Sequence, residues 1–339
     1  MLSKLPRRFF QKIYHILLNL SLLVVTIVLV LVGVDYVLSK GVANEVGLPW
    51  EASRATELNK EYMARHVAVA AKNPYHFNSP DVYAPAKPEG VSKRIAVLGD
   101  SFIWGDGLPD AEMIWSRRLK RRIERSYPEV QVLEWGLCGW STRDQLRFLK
   151  SIEPEHVHGV DYLIIGFVTN DPDMGDKEQK YIKWDACPLS LCKWLPTLYR
   201  WIQPYAERYV YENFSDYGYT NWENYLYSPQ NLENYRQLLV DLKEFLDSKN
   251  IPFFFVFTPN TPNERFEELY KPIRELFDSL RIGYIDLYPV IVEKFGDVPR
   301  SQWPQKLYAN PVNGHPGPAL TSVYADETYA HIQELQWLP

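Results

Sequence analysis

RIAVLGDSF, the stretch from Arg94 to Phe102, indicates the fold class of this chain. Its first five residues form a short, apolar run that meets Gly99 at once, which is typical of a buried parallel strand entering a tight turn. A helix starting after this turn would place the Ser101 hydroxyl at a helix N-terminus, among backbone amides. Taken alone, a Gly-Asp-Ser turn is more typical of a helix N-cap than of a reactive serine.

Outward from this stretch, strand-like and helix-like segments alternate. The predicted strands are 94–98, 130–135, 161–168, 251–258 and 282–287, and the predicted helices are 111–127, 141–151, 228–249, 263–280 and 318–336. Such alternation predicts an α/β fold in which helices cover both faces of a parallel sheet. Ligands of such sheets bind at the carboxyl ends of the strands, so reactive residues are expected there.

Three further motifs lie at expected strand ends or before the last helix: GLCGWST (136–142), GFVTND (166–171) and NPVNGHP (310–316). Gly139 could let its backbone N–H approach a substrate oxygen, or form a plain tight turn. Asn170 could donate to an oxyanion, which an Asp could not, or cap the turn. His315 could act as a general base, although a lone histidine is more often structural.

Together, the order and spacing of the four motifs resemble the SGNH (GDSL-type) hydrolase superfamily, whose blocks contribute Ser, Gly, Asn and His. The resemblance implies a flavodoxin-like three-layer α/β/α sandwich and substrates that are carboxylic esters, thioesters or acetylated sugars. It implies that Ser101 attacks an acyl carbonyl while His315 takes its proton. The oxyanion would be held by the Ser101 and Gly139 amides and the Asn170 side chain, with no cofactor or metal.

One departure from the family pattern concerns the acid that orients the histidine. The family usually has Asp three residues before the histidine, and sometimes two, but here Val312 and Asn313 occupy those positions. Loss of the triad acid lowers kcat by about 10⁴ in well-studied serine proteases. The Asn313 side chain or a backbone carbonyl could orient His315 instead, or the domain could have drifted towards scaffolding. If a dyad operates, Asn313→Asp or Val312→Asp is expected to raise kcat.

The N-terminal sequence predicts a membrane anchor. Residues 16–34 contain no charge, and Lys4, Arg7, Arg8 and Lys12 precede them. A run of this length spans a bilayer core of about 30 Å, and the positive-inside rule places the N-terminus in the cytoplasm. The predicted organisation is a cytoplasmic segment 1–15, a transmembrane helix 16–38, a juxtamembrane connector 39–92 and a periplasmic or extracellular hydrolase domain 93–339. A cleaved signal peptide ending near residues 41–43 is the rival interpretation.

Residues 172–229 are too long for a simple connection and predict a lid-like insertion or small subdomain. The segment is dense in Trp and Tyr, which suit stacking on sugars or packing on a partner protein, but which equally suit a small core. It contains Cys187 and Cys192, which could form a disulfide in an oxidising compartment or remain thiols. Cysteine and histidine spacing predicts no zinc site, and the net charge of −5 disfavours nucleic acid as a partner.

These observations predict a membrane-anchored extracytoplasmic serine esterase or deacetylase. Its expected substrate is an acylated glycan or lipid of the cell envelope, and transfer of the acyl group to a sugar hydroxyl is a variant of the same chemistry. The alternative is a catalytically weak SGNH-like domain that serves as an assembly or interaction subunit at the membrane, with an envelope protein as its partner.

Overall fold

The computed structural model describes residues 7–37, 49–152, 157–178, 180, 195, 198, 206, 209–214 and 218–339. The chain divides into two compact units, one comprising Met1–Ser53 and Gln179–Tyr219, the other comprising Arg54–Glu178 and Thr220–Pro339. The predicted Cys187–Cys192 pair lies outside the described residues, as does most of the aromatic-rich insertion, so both predictions about this segment stay predictions.

The first unit contains the long helix α1 (Arg7–Val37). Its segment Leu17–Val37 has a mean hydropathy of 2.8, and none of it is buried. At 1.5 Å per residue, its 21 residues extend for about 30 Å, the thickness of a bilayer core. Among the described residues, this is the one helix long and apolar enough to cross a membrane. A signal sequence near an N-terminus has the same properties, so the length and composition of the helix fit either a membrane anchor or a signal sequence.

The second unit is built on a parallel five-stranded sheet. Its strands are β1 (Lys93–Gly99), β2 (Val130–Gly136), β3 (Tyr162–Phe167), β4 (Phe253–Phe257) and β5 (Gly283–Asp286). They lie in the order β2-β1-β3-β4-β5, with every neighbouring pair parallel. This is the flavodoxin-like strand order, so the predicted fold class is confirmed.

Two helical layers cover this sheet. Besides α1, the described helices are α2 (Pro49–Ala70), α3 (Ser101–Trp104), α4 (Trp115–Ser126), α5 (Thr142–Ile152), α6 (Tyr219–Leu226), α7 (Pro229–Ser248), α8 (Arg265–Leu280), α9 (Tyr288–Phe295), α10 (Trp303–Lys306) and α11 (Pro318–Glu334), of which α4 and α11 pack on one face of the sheet and α5, α7 and α8 on the other. Successive β1 side chains point to opposite faces. Ile95 and Val97 belong to the core with α4 and α11, whereas Ala96 and Leu98 belong to the core with α5, α7 and α8.

The stretch predicted as a connector is more structured than its polar composition indicates. It contains α2, whose His66 is buried and whose ring Nε2 lies 2.7 Å from the Leu108 carbonyl oxygen. Farther on, the buried Arg94 guanidinium donates to the carbonyls of 84–86. An unpaired buried guanidinium would be costly, so these bonds hold the segment against the strand that follows it.

Two local differences from the predicted elements arise from backbone geometry. The predicted helix 111–127 is interrupted because Ile114 is extended (φ −61°, ψ 134°) and fully buried, so a 3₁₀ turn (Ala111–Met113) precedes α4. Near the C-terminus, β6 (Tyr308–Asn310) and β7 (Asn313–Pro316) form a short antiparallel pair that the sequence did not predict. This pair carries His315.

Candidate active site

Ser101 is the first residue of α3, directly beyond the carboxyl end of β1. Asp100 caps this helix, since its Oδ1 accepts a 2.9 Å hydrogen bond from the Phe102 amide. The capping role that a Gly-Asp-Ser turn favours therefore belongs to Asp100. The Ser101 hydroxyl is left for other partners, and it lies 3.0 Å from Asp100 Oδ2.

His315 approaches this hydroxyl from β7. Its Nε2 lies 2.8 Å from Ser101 Oγ, although 214 residues separate the two in sequence. The ring also packs edge-to-face against Phe102, with 5.5 Å between centroids. The structure thus brings together the two residues predicted to form the nucleophile and its base, in hydrogen-bond contact.

Asn313 contacts the other nitrogen of the same imidazole. Its Oδ1 lies 2.6 Å from His315 Nδ1 and accepts a 3.1 Å hydrogen bond from the His315 backbone amide. Because a side-chain carbonyl oxygen only accepts, Nδ1 must carry the ring proton. Nε2 of the neutral ring then has a free lone pair directed at Ser101. The other candidate position, Val312, has a side chain that is 43% exposed, and the Nδ1 atom is already bound by Asn313.

Two residues that the sequence did not single out complete this cluster. The Asn313 amide nitrogen donates to Asp106 Oδ1 at 2.7 Å and to Asn59 Oδ1 at 3.2 Å. Asp106 follows α3, and its Oδ2 lies 3.9 Å from His315 Nε2. One sequence feature could have drawn attention to Asp106, because it is an acid between two glycines, five residues after Ser101. The sequence has no such feature for Asn59, which lies on α2, some forty residues before the serine.

Gly107 makes room for this arrangement. Its φ of +75° lies in the left-handed region that favours glycine, and a Cβ atom there would stand 2.6 Å from Asn313 Cγ. Asn310 adds a second support, donating to Asn59 Oδ1 at 2.8 Å and to the Gly107 carbonyl at 2.9 Å. The Asn313 side chain is therefore fixed by packing as well as by hydrogen bonds.

The residues predicted to hold the oxyanion follow the two strands next to β1. Gly139 follows β2 and is exposed, with a φ of +79° and no atom within 4 Å of where a Cβ would stand. Asn170 follows β3 and is half-buried. Both residues therefore lie at the same edge of the sheet as Ser101, which is where the resemblance predicts them.

Asp171 ties these two loops together. Its backbone carbonyl accepts from the Thr142 amide at 3.3 Å, and its Oδ1 accepts from the Thr142 hydroxyl at 2.9 Å. Burial raises the pKa of Asp171 well above its usual range and the nearby Asp100 charge adds to the rise, whereas hydrogen bonds from Val168, Thr142 and Gln145 oppose it. The carboxyl group beside Asn170 therefore favours its protonated form more than an exposed aspartate does.

Asp100 shows the same tendency for the same main reason. Burial raises its pKa, although the Phe102 amide, His315 and Ser101 oppose the rise. A protonated Asp100 can donate to Ser101 Oγ, which leaves the serine's own proton directed at His315 Nε2. Burial therefore favours the protonated form of both acids more than an exposed position would.

An apolar cavity of about 340 Å³ adjoins the loop that bears Gly139. Residues of α2, of the segment after α2, of α3 and of that loop line it: Met63, Val67, Ala70, Ala71, His76, Trp104, Leu137 and Cys138. Its volume lies at the lower end of the roughly 300–1,000 Å³ range of small-molecule sites. Within the part of the chain that the structure describes, no group of three His, Cys, Asp or Glu side chains could hold a metal ion.

The family assignment rests on a sequence match that spans the site. The model of the GDSL-like lipase/acylhydrolase family matches residues 97–320, more than half of the chain and the whole interval between Ser101 and His315. The chain belongs to this family. This GDSL-like acylhydrolase is accordingly a serine hydrolase of ester bonds, and the predicted superfamily is confirmed. Among curated proteins, none matches the chain.

Solved structures resemble this GDSL-like acylhydrolase at low sequence identity. A lipase/acylhydrolase from Enterococcus faecalis is 16% identical with a TM-score of 0.42, covering 71% of this chain and 96% of that one. An acetylxylan esterase from Geobacillus stearothermophilus is 14% identical with a TM-score of 0.41, over 72% and 94%. An esterase from Pseudoalteromonas sp. is 12% identical with a TM-score of 0.41, over 72% and 99%.

Proposed function

We propose that this GDSL-like acylhydrolase is a membrane-anchored esterase or deacetylase that works outside the cytoplasm on an acylated glycan or lipid of the cell envelope. The observation that carries the catalytic part is the 2.8 Å contact between Ser101 Oγ and His315 Nε2. A serine hydroxyl is a weak nucleophile near neutrality and needs such an adjacent base.

In the proposed reaction, Ser101 Oγ attacks the acyl carbonyl carbon and its proton passes to His315 Nε2. The Ser101 and Gly139 amides and the Asn170 side chain stabilise the oxyanion, a term that is commonly the largest in such sites. The proton then moves from Nε2 to the leaving alcohol as the ester bond breaks. Water, or a sugar hydroxyl in the transferase variant, then attacks the acyl carbon as its proton passes to His315 Nε2. The bond from the acyl carbon to Ser101 Oγ breaks, and Oγ takes that proton back from Nε2.

The proposed location rests on the apolar segment of α1 and on the basic residues before that segment. The apolar segment Leu17–Val37 is long enough to span, and basic residues precede it. The positive-inside rule then directs the hydrolase unit away from the cytoplasm. A reporter enzyme fused after Pro339 should be active only outside the cytoplasm. Cytoplasmic activity of the fusion would contradict the proposed location and leave the ester chemistry unaffected.

The apolar cavity supports an acyl group with a hydrocarbon chain. Val67→Trp on α2 should fill part of the cavity and lower kcat/KM for p-nitrophenyl octanoate about tenfold relative to p-nitrophenyl acetate. Val82→Trp is the matched control, because Val82 is exposed and does not line the cavity. Equal effects of Val67→Trp on both esters would favour short acyl groups such as acetate.

The catalytic proposal is tested with a fluorophosphonate probe and p-nitrophenyl acetate on residues 41–339. Ser101→Ala should abolish labelling and turnover without changing the unfolding temperature, whereas Ser151→Ala, on the exposed surface of α5, should change neither. Labelling that persists in Ser101→Ala would end the serine assignment. A wild-type protein inert towards every ester and the probe would favour an assembly subunit instead.

A further inference from the structure

The described residues place no carboxylate against His315 Nδ1, the atom that an aspartate usually binds in a catalytic triad. Instead, the contacts run from Ser101 through His315 to the Asn313 amide, and from that amide to Asp106. Asp106 thus stands one side chain farther away than a triad acid. It lies two residues beyond the end of α3, the helix that begins with Ser101.

We propose that Asp106 replaces the missing acid, acting on His315 through the Asn313 amide, with Asn59 as its second support. Asp106 is a positioning residue in this scheme, since the atoms that it binds belong to Asn313. The inference rests on the proposed Ser101–His315 chemistry and adds the residues that make His315 a competent base.

The first part of the role is orientation. An asparagine side chain can rotate to present either its oxygen or its nitrogen to a neighbour. The Asp106 carboxylate accepts hydrogen bonds and donates none, so it holds the Asn313 nitrogen on its own side at 2.7 Å. The oxygen must then face His315 Nδ1. If the amide turned over, its N–H would favour the tautomer protonated at Nε2, which cannot accept the Ser101 proton.

The second part of the role is charge. When His315 Nε2 takes the serine proton, the ring becomes positive, and Asn313 supplies only a dipole to stabilise it. The Asp106 Oδ2 atom lies 3.9 Å from Nε2, close enough for its negative charge to favour the imidazolium. Both atoms are partly shielded from water, because the side chains of Asp106 and His315 are 19% and 29% exposed, respectively. One carboxylate therefore serves both the amide and the charged ring.

This arrangement reverses an expectation drawn from the sequence alone. Asn313→Asp would place a second carboxylate where an N–H now meets Asp106 at 2.7 Å, and two carboxylates so close cannot both ionise. The single substitution should therefore lower turnover at neutral pH. The exchange Asp106→Asn with Asn313→Asp restores a donor and an acceptor at this contact and puts a carboxylate on Nδ1, so it should recover activity.

The test combines kinetics with the ¹⁵N NMR shifts of the His315 ring, which distinguish protonated from unprotonated nitrogens. Asp106→Ala should slow fluorophosphonate labelling by about 10² to 10⁴, the upper figure being the loss of a triad acid, and should mix the two tautomers. Asp106→Asn keeps an acceptor for Asn313 but loses the charge. It should keep the wild-type tautomer while labelling slowly.

Asp110→Ala is the matched control, because Asp110 lies in the same loop and caps the turn at 111–113 without touching Asn313. It should leave both the tautomer and the labelling rate unchanged. Wild-type rates and an unmixed tautomer in Asp106→Ala would overturn the proposal. The NMR shifts test the tautomer of His315 even if no substrate is turned over. If Asp106→Ala does not fold, the labelling rate of Asp106→Asn still tests the role of the Asp106 charge. Absent labelling of the wild type would instead count against the proposed function.

Discussion

At the scale of single residues, the site depends on a neutral amide where its family usually has an acid. Asn313 orients the His315 ring only while its own amide nitrogen is bound by Asp106 and Asn59. The residue type at this position could be read from the sequence, and so could its neighbour His315. The partners could not, because nothing in a local pattern links an asparagine on α2 to a strand near the C-terminus.

Gly107→Ala should impair the site more than its backbone strain explains. Gly107 and Gly90 have similar positive φ values, +75° and +85°, so an alanine costs similar backbone strain at either position. At Gly107 the added methyl would also overlap the Asn313 side chain, whereas at Gly90 it meets no atom within 4 Å. Gly107→Ala should therefore unfold at a lower temperature than Gly90→Ala, and it alone should lose probe labelling. Equal labelling would show that the Asn313 position is not critical.

Asp171→Asn tests the pH dependence of stability. Burial raises the folded-state pKa of Asp171 above the unfolded value of about 3.9, so the folded protein holds this proton more tightly. This contribution to stability is lost as pH rises from about 4 through the folded pKa. Asparagine cannot ionise, so the unfolding temperature of the variant should rise relative to that of the wild type as the pH increases above about 4.

Asp241→Asn, which changes an exposed acid on α7, controls for the altered net charge. A uniform loss of stability in Asp171→Asn at every pH would contradict the expectation. It would show that the ionised carboxylate, with its bonds from Val168, Thr142 and Gln145, is the native form.

At the scale of elements, the strands of the sheet followed from the sequence because each is a short apolar run bounded by turn residues. The predicted strand 94–98 lies within β1, and 251–258 contains β4. The helix α2 did not follow, because its mean composition is polar and only a few of its side chains, such as His66, are buried. The pair β6 and β7 was also missed, since three or four residues give no measurable periodicity.

The contact between α4 and β2 predicts a large difference between a single and a double substitution. Arg117 Nε lies 2.7 Å from Glu134 Oε2, and both side chains are buried. Arg117→Met leaves a buried carboxylate unpaired and should cost about 3–5 kcal/mol of unfolding free energy. Arg117→Met with Glu134→Leu removes both charges and should recover most of that loss in urea denaturation. Equal losses would mean that packing, not charge, dominates this contact.

At the scale of the whole molecule, the segment from Arg54 to the first strand of the sheet belongs to the hydrolase unit. Asn59 supports Asn313, His66 bonds to the Leu108 carbonyl, and Asn78 donates to the Trp104 carbonyl at 2.8 Å. A protein comprising residues 41–339 should therefore fold and label with fluorophosphonate. One comprising 93–339 lacks these bonds and should be unstable and unlabelled, as judged by circular dichroism and probe labelling. Full labelling of the shorter protein would show that α2 is dispensable.

Asn313 is followed by the exposed Gly314, and an Asn-Gly sequence makes the site prone to deamidation. The backbone nitrogen of a glycine, unhindered by a side chain, can attack the side-chain carbonyl of the preceding asparagine. Ammonia leaves as a succinimide ring forms, and water then opens the ring to aspartate or isoaspartate. The hydrogen bonds that the departing nitrogen donates to Asp106 and Asn59 oppose this reaction while the protein is folded. Aged enzyme should therefore lose labelling in step with the deamidation of Asn313 seen in peptide maps, and brief unfolding should accelerate both.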